Sequence, residues 1–168
     1  MIITTGGTID KDYCTGAGVR DLTFGDRSAV TDILRQIRTY QDYPVLRLMA
    51  KDSLDIGEQE RQTIAALCSA LPHERILITH GTDTMDKTAA ALAAKNIPKT
   101  IILTGAGQPA VMKGSDADFN VGFALSAALL VQHGVYIAMN AQLYNWDKCK
   151  KNPGSGIFEP YKSEQAKA

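Results

Sequence analysis

The stretch "ITHGTDTMDKTA", residues 78–89, sets an apolar run directly against Thr79, His80, Gly81, Thr82, Asp83 and Thr84 before a helical spacing of apolar residues resumes. A strand that passes into a helix through a short polar turn is the repeating unit of α/β folds. The hydroxyls, imidazole and carboxylate in that turn either cap the incoming helix or do chemistry. Similar apolar runs recur as "MIIT" (1–4), "VLRLM" (45–49), "ILIT" (76–79), "TIILT" (100–104) and "VYIAM" (135–139), which read as strands.

Helical periodicities lie between these runs: Val30, Ile33, Leu34 and Ile37; Ile64, Leu67, Cys68 and Leu71; Met85, Ala89, Leu92 and Ala93. A further helix over 119–132 is apolar nearly all round and is expected to be deeply packed. Strand and helix alternate, and several strands lack polar alternation, so both sheet faces are covered. The expected fold is α/β, a doubly wound, mainly parallel sheet in a three-layer sandwich with right-handed crossovers.

At 168 residues, with 45% hydrophobic and 21% charged content, the chain has the makings of one compact domain. Eighteen basic residues balance eighteen acidic ones, so no overall field favours nucleic acid or an anionic membrane. A small polar molecule is the better match. The apolar stretch at 123–131, "FALSAALLV", is too short to span a bilayer. Met1 runs straight into strand-like residues, and the expected location is cytoplasmic. Cys14, Cys68 and Cys149 lack metal or redox spacing and are expected as free thiols.

In doubly wound sheets ligands bind at the carboxyl ends of strands. Each run here ends in polar residues: "TTGGT" (4–8), "AKDS" (50–53), "THGTDT" (79–84), "GAGQP" (105–109) and "NAQ" (140–142). One such cluster is a helix cap; several converging on one sheet edge point to a polar small-molecule site. Residues 9–25, with Tyr13 and glycines at 16, 18 and 25, have the composition of a lid or of an ordinary hairpin. "GAGQPA" (105–110) matches a loose dinucleotide fingerprint, but it follows the fourth run, Pro109 interrupts the helix start, and no acidic residue closes the next strand. His73, His80 and His133 lie on different segments, so no metal site is expected and His80 is read as a structural residue. A serine-hydrolase elbow is absent.

Threonine chemistry remains. A threonine hydroxyl needs a base, a group that orients the base, and donors for the developing oxyanion. Thr82 and Asp83 place hydroxyl and carboxylate side by side, and "NWDKCKKNP" (145–153) supplies lysines beyond the last strand. A lysine desolvated among apolar groups loses its proton more readily. The chemistry alone permits either Thr8 or Thr82 to attack.

"TTGGTI" (4–9), "DSLDI" (52–56), "ITHGTDTM" (78–85), "LTGAGQP" (103–109) and "MNAQLYNWDKCKK" (139–151) resemble, in that order, the N-terminal domain of the bacterial L-asparaginase/glutaminase family. The resemblance implies hydrolysis of L-asparagine to L-aspartate and ammonia through a covalent acyl-threonine, without metal or cofactor. It implies Thr8 as nucleophile with Tyr13 as its partner, and Thr82, Asp83 and Lys151 as a proton relay. It further implies Ser53 binding the substrate's α-carboxylate, Asp83 also meeting the α-ammonium, and Gly81 letting the backbone approach substrate. Residues 1–151 then form the catalytic domain, and 152–168 a tail, partly disordered or at a subunit contact. Family members usually carry a second domain that completes the site, so a homo-oligomer, most simply a dimer, is expected to cover it here. Leu54 stands where a polar residue often holds substrate, and Lys148 and Lys150 compete with Lys151 for the relay. The chain is expected to be a short single-domain member, and the alternative is a non-catalytic amino-acid-binding module or an inactive fragment on the same fold.

Overall fold

The computed structural model describes residues 1–13 and 22–161. In chain order the elements are β1 (Ile2–Gly6), β2 (Lys11–Tyr13), β3 (Leu22–Phe24), α1 (Val30–Gln36), β4 (Val45–Lys51), α2 (Glu58–Ala70), β5 (Arg75–Thr79), α3 (Met85–Ala93), β6 (Thr100–Thr104), α4 (Ala117–Leu130), β7 (Gly134–Met139), β8 (Gln142–Asn145), β9 (Cys149–Lys151) and β10 (Phe158–Pro160). The main sheet has the order β4-β1-β5-β6-β7-β8. All its pairings are parallel except β7 with β8. The doubly wound sheet expected from the apolar runs is present, and the turn at Asn140 and Ala141, both at positive φ, adds its antiparallel edge.

The continuous apolar runs are explained by burial on both sides. Ile3, Ile76, Ile78, Ile101, Leu103 and Ile137 pack with α2 and α3, while the residues between them, Ile2, Leu77, Ile102 and Ala138, pack with α1 and α4. This is the period-two alternation of a strand with no polar face. α4 is apolar all round, yet only one side of it is buried: Phe119, Leu129 and Leu130 remain exposed.

One topological expectation is overturned. The chain goes from β1 to β4 in one direction through α1, then in the other direction through α2, α3 and α4 in turn. The connections through α2 and α3 share a face, and α1 has the opposite face and opposite direction, so these three have one hand. α4 travels in the direction of α3 on the face of α1, so its crossover has the other hand, left-handed against the prevailing right-handed rule. Residues 105–116 make this possible by running across the carboxyl edge of the sheet. There Ala110 N donates to Ile9 O at 3.2 Å, and Asn120 Nδ2 ties the start of α4 back to Gly105 O at 3.0 Å.

The segment assigned to a tail is part of the fold through Pro160. β10 pairs antiparallel with β9, and Phe158 is buried. Cys68 and Cys149 are buried free thiols, whereas Cys14, the middle of the 9–25 segment and residues 162–168 lie outside the described residues. Among the described residues no helix is long and apolar enough to cross a membrane.

His80, at the end of β5, is fully buried. Its Nδ1 lies 2.8 Å from the Gly81 carbonyl, which can only accept, so Nδ1 carries the proton and Nε2 accepts from the Thr88 hydroxyl at 2.8 Å. The neutral ring thus docks α3 onto the strand edge. Burial pulls its pKa from 6.5 down to about 4, the Gly81 bond opposing. The unfolded chain therefore binds the extra proton first. The stabilisation is complete above about pH 6.5 and is lost progressively as pH falls towards about 4, a loss on the order of 3 kcal/mol. Denaturation midpoints across this range should show that decline, and His80→Asn should flatten it; an unchanged slope in the variant would assign the decline to other groups.

Candidate active site

Three strand-following turns meet at the carboxyl edge, and glycine lets them do so. After β1 the chain passes Gly6 and Gly7, both at positive φ, and enters a single 3-10 turn at Thr8–Asp10. A Cβ on Gly7 would stand 2.4 Å from Gly81 N, one on Gly81 2.7 Å from Ser53 Cβ, and one on Gly105 2.3 Å from His80 O. The close approach at Gly81 is to the protein's own Ser53 loop. Thr8 is left half-buried at the edge.

The turn bearing Thr8 is anchored from below by Asp10. Its Oδ1 accepts from the Ser28 hydroxyl at 2.7 Å and from Ala29 N at 2.9 Å, joining the turn to the start of α1. Burial is the largest influence on this carboxyl and raises its pKa, while the two hydrogen bonds and Arg47 oppose that rise.

After β5, Thr82 is buried and Asp83 exposed in the turn before α3. Thr84 stands at the N-cap position, but its hydroxyl donates to Ser53 O at 2.6 Å rather than to the helix. Capping is therefore not its duty; it ties the turn after β5 to the turn after β4.

Strand alternation separates the three candidate lysines in space. In β9, Cys149 is buried, Lys150 exposed and Lys151 half-buried, so Lys151 shares the inward side with Cys149. Lys151 Nζ donates to Thr82 Oγ1 at 2.8 Å and to Asp83 Oδ1 at 2.5 Å. Lys148 pairs instead with Asp147 at 3.0 Å.

Thr8, Thr82, Asp83 and Lys151 line one cleft of about 420 Å³, with Gln108, Asp116, Asn140 and Ile157 completing its walls. The cleft sits beside β1 and β5, whose outgoing connections diverge to opposite faces, the place where an open α/β sheet forms a crevice. Three of the expected residues, Ser53, Tyr13 and Gly81, do not line this cleft. Ser53 is fully buried under Gly81, its hydroxyl without a hydrogen-bond partner among the described residues. Tyr13 is 57% exposed on β2. Leu54 is also exposed.

Gln108 and Asn140 fall in the polar runs that the sequence marked after β6 and β7. Asp116 and Ile157 do not. Asp116 accepts from Gly107 N at 3.0 Å and Gln108 N at 3.1 Å, closing the loop that crosses the edge. No periodicity reports that crossing, and Ile157 belongs to the stretch read as tail.

Comparison with known proteins identifies the family of this fold. Residues 1–164 match the family model described as Asparaginase, N-terminal. The chain is 34% identical over 149 residues to a glutamyl-tRNA(Gln) amidotransferase subunit from Methanococcus vannielii, covering 84% of this chain and 34% of that protein. The namesake from Archaeoglobus fulgidus is 33% identical over 132 residues, covering 76% of this chain and 31% of that protein. In structure the chain is similar to the thermostable L-asparaginase from Thermococcus kodakarensis, with a TM-score of 0.81, 26% identity, and coverage of 95% of this chain and 50% of that one. It shares its fold with a probable cytoplasmic L-asparaginase from Campylobacter jejuni, with a TM-score of 0.78, 24% identity, and coverage of 95% and 52%. The chain thus spans about a third of the length of these curated relatives and about half of the solved neighbours. With the family model matched along nearly its whole length, this chain belongs to the asparaginase family and corresponds to its N-terminal domain.

Proposed function

We propose that this chain carries the nucleophile and proton relay of an amidohydrolase that converts L-asparagine to L-aspartate and ammonia. The single observation that carries the proposal is the unbroken hydrogen-bonded row from Asp83 through Lys151 to Thr82 in the cleft that Thr8 also lines. Such a row moves a proton between groups without waiting for bulk water. The assignment of attack to Thr8 rather than Thr82 draws on the family resemblance of "TTGGTI".

In the proposed reaction Thr8 Oγ bonds to the side-chain amide carbon and its proton passes to the relay. The C–N bond then breaks, the leaving nitrogen takes that proton and departs as ammonia, and an acyl ester remains on Thr8. Water, giving a proton to the same relay, attacks the ester carbon; Thr8 leaves, recovers the proton, and L-aspartate is released. Tyr13 is the proposed hydrogen-bond partner of Thr8. Ser53 and Gly81 are the proposed neighbours of the substrate's α-carboxylate, and Asp83 of its α-ammonium.

The Asp83 side chain is 48% exposed. Water therefore screens the relay and the bound substrate. The proposal accordingly includes a homo-oligomer that covers this edge, in a cytoplasmic setting. For the chain alone it includes weak apparent affinity, at or above the upper end of the ordinary range of ~1 μM to 1 mM.

The name of the amidotransferase relatives favours a second reading, in which the amide is that of glutamine. Glutamine carries one more methylene, which displaces its amide from a nucleophile fixed relative to the α-carboxylate, and a misplacement of about 1 Å costs ~100-fold. Ammonia release from both amino acids by the purified chain should show asparagine preferred. Equal or greater efficiency on glutamine would establish the second reading, and binding of either without ammonia release would make the chain a binding module.

Thr8→Ala and Thr82→Val should each lower turnover at least ~100-fold with the fold retained by circular dichroism. Mass spectrometry of quenched turnover should place the acyl adduct on the peptide containing Thr8; an adduct on Thr82 would reverse the two roles. Lys151→Met should abolish turnover while Lys148→Met and Lys150→Met leave it near the unsubstituted level. Equal losses in all three would remove Lys151 from the relay.

A further inference from the structure

The amino edge of the sheet, opposite the candidate active site, carries a second cleft of about 400 Å³. It lies between the turn that enters β4, residues 41–44, and the segment that enters β5, residues 73–75. β5 runs from this cleft at Arg75 to the catalytic edge at Thr79, a span of ~13 Å at the rise of a strand. Part of the lining is apolar: Leu77, Leu125 and Ala128 are buried there, and Leu129 extends the wall towards solvent. Both turns are tied to the sheet. Pro44 O accepts from Ile2 N at 2.8 Å, and Glu74 O accepts from Thr100 N at 2.9 Å.

The rim of this cleft holds charges of both signs that do not pair with one another. Arg75 donates through Nε to Ala128 O at 2.9 Å, which fixes the guanidinium against the carboxyl end of α4. It takes part in no ion pair among the described residues. Asp42 and Glu74 line the same cleft, and among the described residues neither carboxylate has an ion-pair partner. The Met1 amine, also on the wall, donates to Arg75 O at 3.3 Å. His73 belongs to the same lining, and its buried Nδ1 has no hydrogen-bond partner among the described residues. Buried polar atoms are seldom left in that state.

We propose that this cleft binds a small zwitterion with an apolar body, namely an α-amino acid with a large apolar side chain. Arg75 takes the carboxylate through the nitrogens that Ala128 O leaves free, in the forked geometry that guanidinium and carboxylate share. Asp42 and Glu74 take the ammonium, and the carbonyls at the end of α4 favour a positive group on that side. The side chain packs against Leu77, Leu125 and Leu129, beside the Tyr43 ring. The volume stands at the lower end of small-molecule sites, which run from roughly 300 to 1,000 Å³. A bare carboxylate would bring an anion against two acids, and a bare amine would leave Arg75 unpaired, so the rim calls for both charges on one molecule. The amide substrate proposed for the other edge has no apolar body to fill this lining.

Binding here is measured without turnover, so this inference and the amidohydrolase reading fail separately. Isothermal titration calorimetry with L-phenylalanine should give a Kd of about 1 mM or tighter. 3-Phenylpropionate lacks the ammonium, phenethylamine the carboxylate and L-alanine the apolar body; each should bind at least ~10-fold more weakly, the size of one charge-assisted hydrogen bond or a buried side chain. Arg75→Gln should weaken phenylalanine at least ~10-fold. Asp42→Asn combined with Glu74→Gln, both at exposed positions, should remove its advantage over 3-phenylpropionate while circular dichroism stays unchanged. Lys151→Met, at the other edge, should leave the affinity as it was. Absence of phenylalanine binding at ~10 mM would overturn the proposal, and so would equal affinity of the unsubstituted chain for phenylalanine and 3-phenylpropionate. Full affinity in both rim variants, or loss of binding in Lys151→Met, would take the ligand away from this cleft and overturn it as well.

Discussion

The carboxyl edge of the sheet depends on backbone crowding. Gly7, Gly81 and Gly105 let the turns after β1, β5 and β6 press on one another and on the Ser53 loop, at separations where a Cβ would stand 2.3–2.7 Å from its neighbour. No rotamer change relieves such a clash, because the opposing atoms at Gly7 and Gly105 are main chain. The crowding brings Thr8 and the Thr82–Asp83 pair to one cleft, although 74 residues separate Thr8 from Thr82. The remaining bonds hold that arrangement. Thr84 fastens the Ser53 loop, neutral His80 fastens α3, and buried Asp10 fastens the Thr8 turn to α1.

The left-handed crossover has a structural consequence at the same edge. A right-handed path from β6 to β7 would have placed α4 beside α3, with only a short connection. The opposite hand obliges residues 105–116 to cross above the sheet, and that loop supplies Gln108 and Asp116 to the cleft wall. Among the described residues the same path leaves α4 on the α1 face with one side of the helix uncovered.

Polar groups at the edge divide by solvent access. His80 is buried, neutral and fully bonded, and Asp10 is buried with its pKa raised; both serve packing. Lys151 and Asp83 keep 26% and 48% of their side-chain surface, so their ion pair stays partly open to solvent. A surface pair of this kind contributes little to stability.

Much of the fold was legible in the sequence because strand and helix periodicities are local. "MIIT", "ILIT", "TIILT" and "VYIAM" read as strands without a polar face, and the polar residues after each of them marked the edge where the candidate cleft lies. The resemblance of "TTGGTI" and "ITHGTDTM" indicated the family, and the family model bears it out. The hand of the α4 crossover was not legible, because both hands satisfy the same hydrophobic pattern and differ only in how a loop is routed. Nor was it legible which of Lys148, Lys150 and Lys151 meets Thr82 and Asp83, because that contact joins residues nearly 70 positions apart in sequence. Thr84 looked like a helix cap until the fold brought Ser53 O within its reach. Sequence determined which residues are apolar, where the chain turns and which groups are able to react; tertiary structure decided which distant groups touch, because contact between them depends on packing that no local window contains.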